Sequence, residues 1–230
     1  MSSTSPSSRA PPGAPPSVSG KTPGQAVGQA RLFVIAAPSG AGKTSLVKAL
    51  LARKPELHVS ISYTTRKMRP TEAEGREYYF VSVPQFEQLV ADGQLLEHAR
   101  VFDNLYGTGR GPVERQLAQG HNVVLEIDWQ GARQVRRAMP GCVSIFILPP
   151  SKAALEERLR RRMTDSPEVI ERRLRDAVGD MSHWDEFDYV VVNDNFDRAA
   201  QDLVQIVEGS GEALRGGRPE LQPLLAGLLS

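Results

Sequence analysis

Lys43 and Thr44 follow two closely spaced glycines, Gly40 and Gly42, and this grouping can hold a chain of phosphates. The run is Ala37, Pro38, Ser39, Gly40, Ala41, Gly42, Lys43, Thr44, Ser45. Glycines let the backbone curl until successive N–H groups face phosphate oxygens. Lys43 can then reach the β- and γ-phosphates, and the Thr44 hydroxyl is placed to bind Mg²⁺. Ala37 departs from the pattern, standing where G-x-x-x-x-G-K-[ST] has its first glycine. An apolar run read as a strand, Arg31 to Ile35, precedes this stretch, and a helix from Thr44 to about Arg53 is expected to follow. That helix would aim the positive end of its dipole at the same anion. The context opposes a chance Gly-rich turn and implies a bound nucleoside triphosphate. Gly20, Lys21 and Thr22 spell the same ending, but Pro- and Ser-rich sequence precedes them and no strand can form there.

A second group of residues suits a second anion. Ser60 to Arg66, then Arg69 and Pro70, then Gly75 to Phe80 bring together two arginines and a tyrosine, Tyr78. Those are the donors that hold a phosphate dianion. Downstream lie Leu96, Glu97, His98 and Ala99, and then Asn104 to Thr108. A carboxylate can accept from both N1–H and the exocyclic amine of guanine, while a hydroxyl donates to its O6. Adenine offers no such pair of donors on that edge.

These groups need a scaffold, and the elements around them alternate. Val123–Ile127, Val143–Leu148 and Tyr189–Val192 are short β-branched runs of nearly continuous hydrophobicity, as expected of parallel strands covered on both faces. Helices are predicted between them. One starts near Ser166, Pro167 and Glu168, with Val169, Ile170, Leu174, Ala177, Val178 and Met181 at helical spacing; another runs from about Arg198 to Leu214. The pattern predicts an α/β sheet with right-handed crossovers. Residues 60–110 break the rhythm, with short strands around Tyr78 to Val83, and read as an inserted substrate-binding subdomain.

Composition narrows the classes further. Residues up to about Ala30 are Pro, Ser, Gly and Ala with few large apolar side chains, and are expected to form a disordered tail. The tail has no apolar h-region, which opposes a secretory signal, and only Arg9 and Lys21, which weighs against an import peptide. No apolar run reaches membrane-span length. A net charge of +1 gives no support for general affinity toward nucleic acid or acidic membranes. The single cysteine, Cys142, excludes an internal disulfide, fits a reducing cytoplasm and reads as an inert buried thiol. Four histidines show no zinc-site spacing.

At these residues the chain resembles guanylate kinase. The likeness covers Arg31 to about Glu208 and rests on A-P-S-G-A-G-K-T, S-x-T-T-R-x-x-R-P, G-x-x-Y-x-F, L-x-E-x-A, Y-G-T, L-E-I-D-W-Q-G, P-P-S and V-V-N-D in order. It implies a P-loop nucleoside monophosphate kinase fold and transfer of a phosphoryl group from MgATP to GMP, giving ADP and GDP, with dGMP as a further acceptor. It also implies a division into a tail (1–30), a core (31–60, 112–150, 176–208), a GMP-binding insert (61–111), a lid (151–175) and a C-terminal extension (209–230). Arg66, Arg69, Tyr78 and Tyr106 are similar to the family's grip on the GMP phosphate, and Ser62, Glu97 and Thr108 to its guanine readers. Asp128 is similar to the acidic residue at the junction of the two sites, holding either the guanine amine or, through water, the metal. Arg158 and Arg162 match lid positions that close on the transferring phosphates, and Arg173 matches a third arginine on the lid's far side. Met163 stands where the lid typically has glycine.

Each assignment has a plainer counterpart. Arginines 158–162 also suit a solvated helix face paired with Glu156 and Glu157. Tyr79 reads as a packing residue, and Trp129 and Trp184 as core or interface aromatics. Glu126 is open between a metal contact and a structural hydrogen bond. Two rival functions are a module that keeps the fold but binds proteins, and a P-loop kinase acting on another acceptor. Lys43, Thr44, Glu97 and Asp128 oppose the first, and the guanine-reading trio opposes the second.

Overall fold

The computed structural model describes residues 30–101, 103–161 and 167–230. Residues 1–29 of the expected tail, and Arg162, Met163 and Ser166, lie outside them. The first strand, β1 (Leu32–Ala36), is buried along its whole length. Its side chains alternate between two cores: Leu32, Val34 and Ala36 enter one, Phe33 and Ile35 the other. A strand buried on both faces needs helices on both sides, and its sequence therefore shows no polar alternation.

Around β1 a five-stranded parallel sheet forms in the order β2 (His58–Val59), β7 (Val123–Glu126), β1, β8 (Val143–Leu148), β9 (Tyr189–Val192). On one face pack α1 (Lys43–Arg53), through Leu46, Val47 and Leu50, and α7 (Phe196–Glu208), through Leu203 and Ile206. The other face takes α3 (Arg110–Ala118), α4 (Trp129–Ala138), α5 (Lys152–Arg161) and α6 (Pro167–Met181). The carboxyl ends of β1, β7 and β9 run into Ala37, Ile127 and Asn193, which places three loops at one edge of the sheet. Ligands of open α/β sheets bind at that edge.

Residues 62–109 build a second sheet, ordered β4 (Tyr78–Phe80), β3 (Ser62–Thr64), β6 (Asn104–Gly109), β5 (Leu95–Val101). Only the β3–β4 pair is parallel. The strand expected around Tyr78 to Val83 stops at Phe80. Ser82 accepts from the Gln85 backbone while Gln85 reaches back to the Ser82 N–H at 2.8 Å, and this capping box starts α2 (Val83–Ala91). Leu96 on β5 enters the first core beside Ala132 and Val135 of α4, joining the second sheet to the first.

Other boundaries shift for local reasons. The predicted helix 198–214 begins at Phe196, because Asn195 Oδ1 accepts from Arg198 N at 3.0 Å. It ends at Glu208, because Gly209 turns left-handed at φ 81°; Glu212–Leu214 is a separate 3₁₀ turn. The C-terminal residues form α8 (Gln222–Leu229), which buries Leu225 and Leu228 in the same core as Leu155, Leu159, Ile170 and Met181 of α5 and α6. Lys152 at the start of α5 donates to the Ser230 carbonyl. Cys142 is half-buried against this core, and burial pushes its thiol up. No helix among the described residues is long and apolar enough to cross a membrane.

Candidate active site

The loop between β1 and α1 is shaped by its glycines and fastened from outside. Gly40 and Gly42 have φ of 90° and 97°, conformations costly for any side chain. Space is equally tight: a Cβ on Gly42 would lie 2.5 Å from Asn193 Nδ2, and one on Gly40 would lie 2.9 Å from Leu155 of α5. Asn193 is buried and donates to the Ala41 carbonyl at 2.7 Å. Arg158 donates to the same carbonyl at 3.3 Å and to the Asn193 carbonyl at 2.8 Å. With the Ala41 carbonyl held by these donors, the loop is fastened in a curl that suits an anion nest of N–H groups.

Inside the loop, Lys43 Nζ donates to the Ile127 carbonyl at 2.8 Å and lies 4.0 Å from Glu126. Burial lowers the Lys43 pKa, and Glu126, Asp128, Glu97 and Asp180 pull it back upward. An ammonium held by a carbonyl, with the Glu126 carboxylate no nearer than 4.0 Å, suits an incoming polyanion. Thr44 donates its hydroxyl to Glu126. Glu126 thus stands within reach of the loop's own hydroxyl and of Lys43. Ser45 is exposed at the start of α1.

Across the cleft, strand register aligns three polar residues. Ser62 on β3 pairs with Thr108 on β6, and Thr108 pairs with Glu97 on β5. Thr108 donates to Glu97 Oε1 at 2.7 Å, and the Ser62 and Thr108 hydroxyls lie 3.2 Å apart. Glu97 is only 3% exposed. Burial pushes its pKa up to about 7; Asp128 adds to the rise, while Thr108 and Lys43 oppose it. Thr108 is fully buried and stands behind Glu97, supporting the carboxylate in place of facing the cleft.

The arginines sit farther out. Arg66 pairs with Glu72 at 2.7 Å and lies 5.5 Å over the Tyr78 ring, which meets the Tyr106 ring edge-on at 5.8 Å. Burial pushes the Tyr78 hydroxyl up to about 12. Arg69 is exposed, with Glu72 3.9 Å away. Glu72 thus occupies the arginine fork that an anion would fill. Asp128 caps α4, its Oδ1 accepting from Gly131 N at 2.8 Å and its Oδ2 from Gln130 at 3.1 Å.

Together these residues border a cleft of about 310 Å³. Its wall takes Ala37, Pro38, Ser39, Gly40, Gly42, Lys43 and Thr44 from the loop and Ser62, Tyr78, Glu97, Tyr106 and Asp128 from the other side. Arg66, Arg69, Arg158 and Arg173 stand outside that wall, Arg173 half-buried on α6. Arg162 lies outside the described residues. Among the described residues, no three His, Cys, Asp or Glu side chains are grouped to hold a metal by themselves.

Sequence reasoning missed Asp180, which lines the cleft from α6 and accepts from Trp129 Nε1 at 3.0 Å. Burial raises its pKa to about 6. No motif announced it; the one signal was its helical register with Ala177, which is buried. Trp129 is half-buried, stacked on His183 at 3.6 Å with the Arg133 guanidinium 4.9 Å from its ring, so it serves as a bracket between α4 and α6. Tyr79 packs its ring on that of Tyr63, with centroids 5.1 Å apart, and is 36% exposed on the other side.

Comparison with known proteins bears on this cleft. The family described as guanylate kinase matches residues 29–210. A guanylate kinase of Methylococcus capsulatus is 55% identical over 87% of this chain and 98% of its own length. One of Chromohalobacter salexigens is 54% identical over 86% of this chain and 93% of its own. The crystal structure of guanylate kinase from Anaplasma phagocytophilum superposes with a TM-score of 0.67 at 34% identity, covering 80% of this chain and 87% of that one.

Proposed function

This chain belongs to the guanylate kinase family, and from that premise we infer that it phosphorylates GMP to GDP with ATP as donor. The observation that carries the reading is the buried Glu97, held by Thr108 on the far side of the same cleft that Lys43 and the glycine loop enter. One wall suits a triphosphate and the other a guanine edge. We assign the core to residues 31–60, 112–150 and 176–208, the acceptor insert to 61–111 and the lid to 151–175, with 1–30 a tail and 209–230 an extension.

GMP brings its own nucleophile, since its phosphate is largely ionised, so the protein supplies no base and no covalent intermediate. Its task is positioning and charge stabilisation. Lys43 and the loop N–H groups hold the β- and γ-phosphates of ATP. Arg66, Arg69, Tyr78 and Tyr106 hold the GMP phosphate once it displaces Glu72 from the arginine fork. Ser62 and Glu97 read the base, with Thr108 supporting Glu97, and Asp128 stands at the junction. Arg158, Arg162 and Arg173 are the lid cations; Arg158 already reaches the loop carbonyl of Ala41.

The donor set fits a magnesium ion carried in by the nucleotide: Thr44 Oγ1 and the Glu126 carboxylate offer hard oxygens at the loop, and phosphates supply the rest. Bound there, Mg²⁺ neutralises phosphate charge. We place the activity in purine nucleotide supply and GMP recycling in a reducing cytoplasm, with dGMP as a second acceptor. An ADP-release assay across GMP, dGMP, AMP, CMP, UMP and a sugar phosphate tests this. Turnover confined to the guanine nucleotides is expected; preference for any other acceptor overturns the reading.

A further inference from the structure

We propose that Gly131 is a specificity-determining position, kept free of a side chain so that the first turn of α4 can seat the Glu97 carboxylate against its backbone. This rests on the reading of Glu97 as the residue that accepts from guanine. An ideal Cβ on Gly131 would lie 2.4 Å from Glu97 Oε2 and 3.0 Å from Glu97 Cδ. No real Cβ tolerates such a contact, and the obstructing atom belongs to a side chain with little freedom. Glu97 is almost fully buried, and its other oxygen is fixed by Thr108 at 2.7 Å. A methyl group at position 131 must therefore displace the carboxylate.

The glycine has no other task. Its φ is not in the left-handed region, and it lies in the third residue of α4, a place where alanine is the better helix former. Its N–H, held by Asp128 Oδ1 at 2.8 Å, would be kept by any residue but proline. Helix propensity thus favours alanine, and the space beside Glu97, with a lesser crowding by Asp128 Oδ1 at 3.3 Å from the ideal Cβ, favours glycine. The same turn places Asp128 at the N-cap, so Asp128 and Glu97 are spaced by one piece of helix. The L-E-I-D-W-Q-G motif ends on this glycine because the strand, the cap and the empty position act together.

The test is a steady-state comparison of wild type, Gly131→Ala, Glu97→Asp, Glu97→Gln and the double variant Gly131→Ala with Glu97→Asp. GMP, IMP and AMP are the acceptors, and melting temperatures are recorded. Gly131→Ala should raise KM for GMP about tenfold or more, leave KM for ATP near wild type and reduce the preference of GMP over IMP, as expected when guanine donors lose their acceptor. Its melting temperature should fall only by a few degrees, because the helix gain from alanine offsets part of the overpacking against Glu97. Aspartate at 97 is one methylene shorter and withdraws from the new methyl. The double variant should therefore use GMP better than Gly131→Ala alone, although Glu97→Asp alone is worse than wild type. A Gly131→Ala enzyme with unchanged GMP-over-IMP preference, or a double variant whose losses simply multiply, overturns the proposal. If Glu97→Gln leaves that preference unchanged, the guanine reading fails first, which separates the two failures.

Discussion

The two walls of the cleft hold their charges in different ways. On the loop side, the cations rest on backbone: Lys43 donates to the Ile127 carbonyl and Arg158 to the carbonyls of Ala41 and Asn193. On the acceptor side the charges rest mainly on side chains: Arg66 and Arg69 share Glu72, with Arg66 also donating to the Lys67 carbonyl at 2.7 Å, and Glu97 leans on the Thr108 hydroxyl. A backbone partner is fixed by the fold, so the donor site is formed before nucleotide arrives. A side-chain partner can swing away, so the acceptor site can exchange an internal carboxylate for a phosphate. The difference teaches that a phosphate nest is built by chain path, whereas base selection is built by partners that must be displaced or desolvated.

The sharpest break of this contrast is Lys43→Ala. It removes a half-buried cation of the loop side, and turnover should fall by about a thousandfold or more. GMP binding, measured by calorimetry, should stay close to wild type because Lys43 meets only ATP phosphates. Near-normal turnover would sink the loop assignment.

Arg66→Ala and Arg158→Ala come next and should part company. Arg66→Ala removes a charge-assisted grip on the acceptor and should raise KM for GMP by roughly ten- to a hundredfold. Arg158→Ala should chiefly lower kcat, because a lid cation gains strength as charge redistributes in the transition state. If Arg158→Ala turns over normally, that arginine fastens the loop and does no more.

A smaller effect concerns stability. Burial raises the Glu97 pKa to about 7, so the fold favours the protonated carboxyl. For a group shifted upward, the stabilising contribution is full below its ordinary pKa near 4.5 and is lost as pH rises through 7. Glu97→Gln should therefore raise the melting temperature of the nucleotide-free protein at pH 8 by on the order of 5 °C and change it little at pH 4.5. An equal shift at both pH values would show that the carboxylate is not strained by burial.

How far the sequence could be read follows the same contrast. The loop is contiguous, so Gly40, Gly42, Lys43 and Thr44 announced themselves, as did β8 and β9, whose β-branched runs have the observed limits. The acceptor side was legible as a set of residues but not as a geometry. Thr108 faces Glu97 because two strands pair in one register, and no spacing along the chain encodes that. Asp180 was missed because it reaches the cleft only after α6 folds back against Trp129. The helix expected to reach Leu214 ends at Glu208 because Gly209 turns left-handed and caps it, a stop that the glycine itself signals in the sequence. Asn193 sat inside V-V-N-D, but its part, tying down the loop carbonyl of Ala41, needs the parallel order of β1, β8 and β9.

The central claim is that a buried carboxylate selects guanine opposite a phosphate nest, and it is tested most directly by kcat/KM for GMP and AMP with wild type and Glu97→Gln. The amide keeps the shape but can accept only through its carbonyl, leaving a guanine donor unpaired at about 1–3 kcal/mol. The account predicts that kcat/KM for GMP falls by roughly ten- to a hundredfold while AMP changes little, compressing the GMP-over-AMP ratio. An unchanged ratio would contradict it, because Glu97 would then be a buried acid that does not read the base.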